Sequence, residues 1–543
     1  VVLLGWTFLF PQQRPAAPPP PPPAAKTAPA APETPSPPPS TPSDAPTPAQ
    51  AAAASPSGPQ PERLVELETQ DVRFVFSTAG GTLRHAQLLQ PKFLERDGDP
   101  RSGHDIVRTF DATTAPLRTT FPNSPSFPAI ADGAWQVSRP APDTVVFTAE
   151  TAGARIEKRY RADTTRYRLH LDVVVTNKSD KPQDHHLALS VFGRQDPDKK
   201  GGGFLFFSSP ATNQASMLCG GTDKVERRQM EKAKKEELKK TSDAVRWVGA
   251  DEKYFLLAAV TYPEAAGHDR TCELQSPDGV IGEGDLSFAG RTVPAHGSTV
   301  YSFSVFSGPK VTSDLEQVKP GGDDVKLTEA VDVNLAFISD KILVLLKFFY
   351  RFGHNWGLAI ILLTLFIKII TFYPTQKSLL SAKKMQKLAP KMAAIRKKYE
   401  NDRQRQSVET MNLYKAHGVS PFGGCLPSLI QMPIWIALYS TLNYAVELYR
   451  APFFGYIRDL TAKDPYYITP LLMGGVMFVQ MKMSPTSPDN QQQATMAVMM
   501  PVMFTALSLF LPAGLALYML TSYLIGIAQQ LYINHLDRKG AKS

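Results

Sequence analysis

Residues 357–373 read GLAIILLTLFIKIITFY, an almost wholly apolar run whose one charge is Lys368. As a helix, a run of this length rises roughly 25 Å, slightly short of a hydrocarbon core of roughly 30 Å. A cation inside a membrane helix costs roughly 2.5–3.5 kcal/mol on insertion scales, so Lys368 needs a physical reason. Two readings stand on the residues alone. The amine snorkels to the interface, since Lys368 lies just six residues before Pro374. Alternatively it faces a polar interior.

The stretch that follows fixes a direction. Residues 376–418 carry eleven Lys or Arg against three acids, Glu400, Asp402 and Glu409. Met385, Leu388, Met392, Ile395 and Tyr399 recur at three- and four-residue steps, an apolar stripe with basic residues around it. Glu400-Asn401-Asp402 reads as a turn and 403–416 as a second helix, while Pro390 should bend the first. By the positive-inside rule this basic hairpin lies in the cytoplasm. The helix of 355–374 then runs from outside to inside.

Upstream, over 331–352, Leu335, Ile338, Ile342, Leu345, Leu346 and Phe349 have helical spacing, which predicts an interfacial amphipathic helix. Trp356 sits where an aromatic belt belongs. Downstream, residues 420–534 hold four apolar segments, about Phe422–Leu448, Ile468–Met481, Thr495–Leu511 and Ala513–Asn534. The second is too short to span without thinning the bilayer. Gln431 falls in mid-helix and is a candidate polar lining residue. Alternating spans return the basic tail, 535–543, to the cytoplasm.

The first half differs. Residues 1–10, VVLLGWTFLF, read as the end of a truncated first membrane helix, with a clipped signal peptide as the alternative, and 11–61 as a Pro/Ala-rich disordered linker. Residues 62–320 are β-rich, with alternation in Val72–Phe76, Thr144–Thr148, Ile156–Tyr160 and Tyr167–Thr176. A large sandwich is expected, on the outer side of the membrane. Within it, Asp223–Lys240 is so charged and helix-forming that a solvated surface helix is predicted. His185-His186 is the one histidine pair, and neighbours on a strand point to opposite faces, a poor metal site. No catalytic or phosphate-binding motif appears, so neither an enzyme nor a cofactor is expected. Cys219 and Cys272 either pair, if this half meets an oxidising compartment, or stay as buried thiols. The net charge of +9 suggests a membrane surface, nucleic acid or ribosome as neighbour.

Several runs resemble one family. FGGCLPSLIQMPIWIALY (422–439) after MNLYKAHGVSP, APFFGYIRDL with DPYYITPLLMG (451–474), VQMKMSPTS (479–487) and FLPAGLALYMLTSYLIGIAQQ (510–530) are similar to the YidC/Oxa/Alb insertases. The match is dense over 331–535. In the first half it rests on WVGADEKYF (247–255) and FSVFSGPK (303–310), and the large outer domain resembles the Gram-negative form. The resemblance implies an α-helical transmembrane core of five helices, plus the truncated first helix, with a cytoplasmic hairpin and an all-β periplasmic supersandwich. It implies a membrane protein insertase and chaperone in the bacterial inner membrane, with a polar groove open to cytoplasm and lipid. Lys368 matches the basic groove position, where arginine is common. Thr364 and Tyr518 match further groove positions, while Met519 stands where a second aromatic is frequent. The implied partners are nascent membrane proteins, the Sec translocon, ribosome or signal recognition machinery at the hairpin, and membrane lipids. A secondary transporter with a mid-membrane cationic site is the alternative, but no internal repeat or paired ionisable group supports it.

Overall fold

The computed structural model describes residues 62–540 apart from 97–98, 100, 110, 125–126, 128–134, 152, 196–202, 205–206, 209–214, 222–223, 231–238, 242–244, 264–268, 332–335, 420–425 and 484–490. The first-helix end at 1–10, the linker at 11–61, and residues 541–543 of the tail lie outside the described residues.

Alternating burial builds the β domain. Arg168–Asn177 alternates half-buried and buried side chains along its whole length, the pattern of a strand with one face on a core. It sits inside a nine-stranded antiparallel sheet. In spatial order the strands are Val225–Gln229, Ser216–Gly220, Trp247–Asp251, Phe255–Thr261, Ser298–Pro309, Arg168–Asn177, Ala154–Ala162, Thr144–Glu150 and Gln136–Ala141. A five-stranded sheet, ordered Lys239–Thr241, Arg270–Gln275, Ile281–Phe288, Ala188–Arg194 and Arg118–Thr120, packs on its inner face. Leu64–Glu68, Val72–Ser77 and Thr82–Leu88 add a three-stranded sheet. All four alternating runs recognised in the sequence are strands.

The charged insert is corrected. Val225–Gln229 is an edge strand paired with Ser216–Gly220, not a helix. Tertiary pairing outweighs local helix propensity over Val225–Gln229, because Arg228 is buried and Arg227 bonds Asp251. Residues 231–238 of the same insert lie outside the described residues. Cys219 and Cys272 form a disulfide joining the two facing sheets, at a Cα separation of 6.1 Å. His185 is fully buried against the Tyr301 hydroxyl at 2.9 Å. Among the described residues no three His, Cys, Asp or Glu side chains converge to hold a metal.

The core of the β domain continues through a strap. Leu315, Val318, Val325, Leu327 and Ala330 belong to the same buried cluster as the strands. Trp247 donates its indole N–H to the Val325 carbonyl at 3.2 Å. Lys310 and Arg227 both meet the buried Asp251 carboxylate, and Arg227 also donates to the Ala330 carbonyl at 2.7 Å.

Among the described residues eight helices follow. They are α1 (Ala336–Gly353), α2 (Trp356–Ile370), α3 (Phe372–Lys398), α4 (Arg403–Ala416), α5 (Leu426–Tyr444), α6 (Ile468–Met483), α7 (Gln491–Ser508) and α8 (Ala513–Gly540). α1 and α2 meet at 118°. The corner is set by Asn355, whose side chain accepts the Leu358 N–H at 3.1 Å, and by Trp356 stacked on Tyr350 at 4.3 Å. α3 and α4 fold back on each other, with Asp402 capping α4 and the Tyr414 hydroxyl 3.2 Å from the Met392 sulfur. The stripe Met385, Leu388, Met392, Ile395 and Tyr399 is the covered side of α3.

In the bundle, α2 packs on α1 and α8, α5 on α1 and α8, and α6 on α7 and α8. A Cβ at Gly474 would stand 1.9 Å from the Thr505 hydroxyl, so a glycine is required where α6 meets α7. Outward faces are apolar: Phe366, Ile369, Leu471, Leu472, Val502 and Leu524 are exposed. A bundle solvated by water would put polar groups there, whereas lipid accepts these side chains. Among the described residues, Ala513–His535 is the one helix long and apolar enough to cross a bilayer alone.

Candidate functional site

The residues singled out in the sequence lie on three helices, α2, α5 and α8. α2 is apolar because nearly every turn is buried in the bundle or turned to its apolar outside. Thr364 and Lys368 are one turn apart on it and share a face. Thr364 is fully buried, and its hydroxyl donates to the Ile360 carbonyl at 2.7 Å, four residues back. Its polar group is therefore satisfied within its own helix.

Lys368 is half-buried, and among the described residues no hydrogen bond or ion pair holds its amine. Its neighbours in sequence, Ile369 and Ile370, are exposed apolar side chains. An ammonium at partial depth with no counter-ion is costly, and it is a standing attractor for a carboxylate.

Gln431 and Tyr518 meet directly. The Gln431 amide on α5 donates to the Tyr518 hydroxyl on α8, which is buried. Neither bonds to Thr364 or Lys368, so the four residues fall into a joined pair and two separate positions on α2.

Reading the sequence residue by residue missed a longer polar row on α8. Ser522, Gly526, Gln529 and Gln530 continue from Tyr518 along its buried face. Gln529 donates to the Phe372 carbonyl at 3.3 Å and Gln530 to the Met483 carbonyl at 2.5 Å, tying α8 to the ends of the neighbouring helices. A Cβ at Gly526 would lie 2.3 Å from the Gln480 amide nitrogen. The signal was available: small and polar residues at 518, 522, 526 and 529 recur on one helical face inside an apolar run. Ser339 and Thr441 form a second polar seam, with the Ser339 hydroxyl 3.2 Å from the Ala437 carbonyl and that of Thr441 3.3 Å from the Ser339 carbonyl.

Known proteins match both halves. The family described as "60Kd inner membrane protein" matches residues 348–540, and the "YidC periplasmic domain" matches residues 64–344. The membrane protein insertase YidC of Anaeromyxobacter sp. (strain Fw109-5) is 35% identical over 491 residues, covering 87% of this chain and 85% of that protein. That of Syntrophus aciditrophicus (strain SB) is 35% identical over 497 residues, covering 88% and 86%. That of Citrifermentans bemidjiense is 34% identical over 542 residues, covering 98% and 96%. Among solved structures, an active YidC insertase with its first transmembrane domain resolved covers 86% of this chain and 92% of its own, at 19% identity and a TM-score of 0.37. A galactose mutarotase-like protein from Lactobacillus casei covers 45% of this chain, at 11% identity and a TM-score of 0.31. With both halves matched and relatives above 30% identity along most of their length, the chain belongs to the YidC membrane protein insertase family.

Proposed function

We propose that clients pass through a groove between α2, α5 and α8, with Lys368 as its cation and Thr364, Gln431 and Tyr518 in its lining. The protein is a membrane protein insertase and not an enzyme, with a β-rich periplasmic domain, and its clients are nascent proteins of the inner membrane. The observation that carries the groove reading is the amine of Lys368, half-buried and unpartnered among the described residues. A short acidic or polar client segment neutralises that charge as it enters. The client's apolar segment then leaves sideways into lipid, driven by its own transfer free energy. No bond is made or broken.

Five helices, α2 and α5 to α8, span the membrane in this reading, and the α3–α4 hairpin lies in the cytoplasm. Support comes from the apolar outer faces of the bundle and from the excess of positive charge on the hairpin. Short helices such as α6 thin the bilayer around the groove and lower the barrier to crossing. The basic hairpin receives the ribosome or signal recognition machinery, and the Sec translocon works beside the bundle for some clients. A photo-crosslinker at Thr364 or Tyr518, with a stalled ribosome-bound client, tests the path. Client capture is the expected result, and labelling by lipid alone would sink it.

A further inference from the structure

The motif WVGADEKYF (247–255) has no part in the groove, yet its side chains reach the membrane bundle. The Tyr254 hydroxyl donates to the Leu442 carbonyl at 3.2 Å, in the last turn of α5. Carbonyls of a last helical turn lack intrahelical partners and need a donor from elsewhere. Just beyond, the Lys92 ammonium donates to the Val446 and Glu447 carbonyls at 2.6 and 2.9 Å. A cation at this end also complements the helix dipole. Both donors come from the β domain, across more than 180 positions of sequence.

The segment just past α5, the turn Val446–Leu448 and Tyr449 after it, is packed as well as bonded. The Tyr449 ring packs against Tyr254, Phe255 and Phe93 of the β domain, at centroid distances of 5.1, 5.4 and 5.9 Å. Arg450 returns a bond from the bundle side, donating to the Leu94 carbonyl at 2.7 Å. Burial raises the Tyr254 phenol above its ordinary range, so the hydroxyl stays protonated and remains a donor.

We propose that the periplasmic domain caps α5 through Tyr254 and the turn just beyond it, Val446–Leu448, through Lys92, and that with the packed Tyr449 ring of the bundle these positioning residues hold the outer end of the helix carrying Gln431. The consequence for clients rests on the groove reading above. A helix held at its outer end by donors and packed rings keeps its register against α8, and Gln431 stays on the Tyr518 hydroxyl. The β domain is then part of the insertion machinery through one helix end, while its own interior is not.

The test uses the full chain in lipid nanodiscs and compares the parent with a Tyr254→Phe/Lys92→Met variant by hydrogen exchange. We expect amides of 440–450 to exchange at least tenfold faster in the variant, while those of Arg168–Asn177 keep their parent rates. Lys92→Arg alone should restore protection to within about twofold. Parent-like exchange at 440–450 in the double variant overturns the cap. A photo-crosslinker at position 431 reads the consequence, with client capture expected to fall at least threefold in the variant. Faster exchange with undiminished capture overturns the positioning role. Absence of capture in the parent itself counts against the groove reading, and the exchange data still decide the cap.

Discussion

Two lysines divide the molecule. Lys158 lies fully buried in the β domain, and its ammonium donates to the Gly80 and Leu117 carbonyls at 2.8 Å each, 5.3 Å from the Trp135 ring centroid. Lys310 in the same domain is buried against Asp251 at 2.7 Å. Lys368 in the bundle is half-buried with no such partner among the described residues. The Lys158 amine with its carbonyl acceptors in place ties the segments around Gly80 and Leu117 to the strand Ala154–Ala162. A cation without them is a cost left in the folded state, and at a membrane crossing such costs mark function. Lys158 and Lys310 thus find acceptors inside the β domain, while Lys368 has none among the described residues and is the charge that the proposed client segment would neutralise.

That contrast can be broken at several points. The largest effect is expected at Lys158, where Lys158→Ala leaves a cavity and orphaned carbonyls. We expect a loss of about 3–5 kcal/mol in denaturant unfolding of the β domain. A loss under 1 kcal/mol would remove this tie from the comparison. The same residue gives a pH signature. Burial, with Arg118 adding to it, pulls the Lys158 ammonium from 10.5 down to about 7. Between about pH 7 and 10.5 the unfolded chain holds a proton that the folded one has lost, so stability from this group rises with pH. It is fully present above 10.5 and lost as pH falls through about 7. The stability difference between parent and Lys158→Met should therefore widen as pH climbs through that window, and a flat difference would contradict the assignment.

Next in size is the disulfide that ties the two sheets. It closes a loop spanning 53 positions, so reduction or Cys219→Ser should lower β-domain stability by about 2–4 kcal/mol. Alkylation of non-reduced protein from cells checks the pairing directly, since two free thiols would deny it.

In the bundle, Lys368→Glu should lower insertion of clients with acidic translocated segments about tenfold, equivalent to about 1.4 kcal/mol. Lys368→Arg should keep activity, because the charge remains even though the donor geometry changes. Protease protection in cells depleted of the native insertase reads both, and full activity of the Glu variant would end the electrostatic role. The smallest effect is expected one turn earlier. The Thr364 hydroxyl is already bonded to the Ile360 carbonyl, so Thr364→Val should change insertion less than twofold. A larger drop would mean that this hydroxyl leaves its helix to meet the client.

The sequence by itself determined the division into a β half and an apolar helical half, the strands around Val72, Val145, Ile156 and Leu171, and the stripe of the hairpin. These depend on local periodicity, two residues per repeat in strands and 3.6 in helices, which a chain carries wherever it folds. Lys368 was legible for the same reason, as a charge in an apolar run. Tertiary structure alone decided three things. Val225–Gln229 became a strand because a neighbouring edge and the Asp251 carboxylate were waiting for it, against its own helix propensity. Cys219 met Cys272 because two sheets face each other. Tyr254 reached the last turn of α5 and Lys92 the turn just beyond it because carbonyls there need donors, and the fold placed them there. Contacts between residues far apart in sequence leave no periodic trace, so only the folded chain reveals which side chain answers which unsatisfied group.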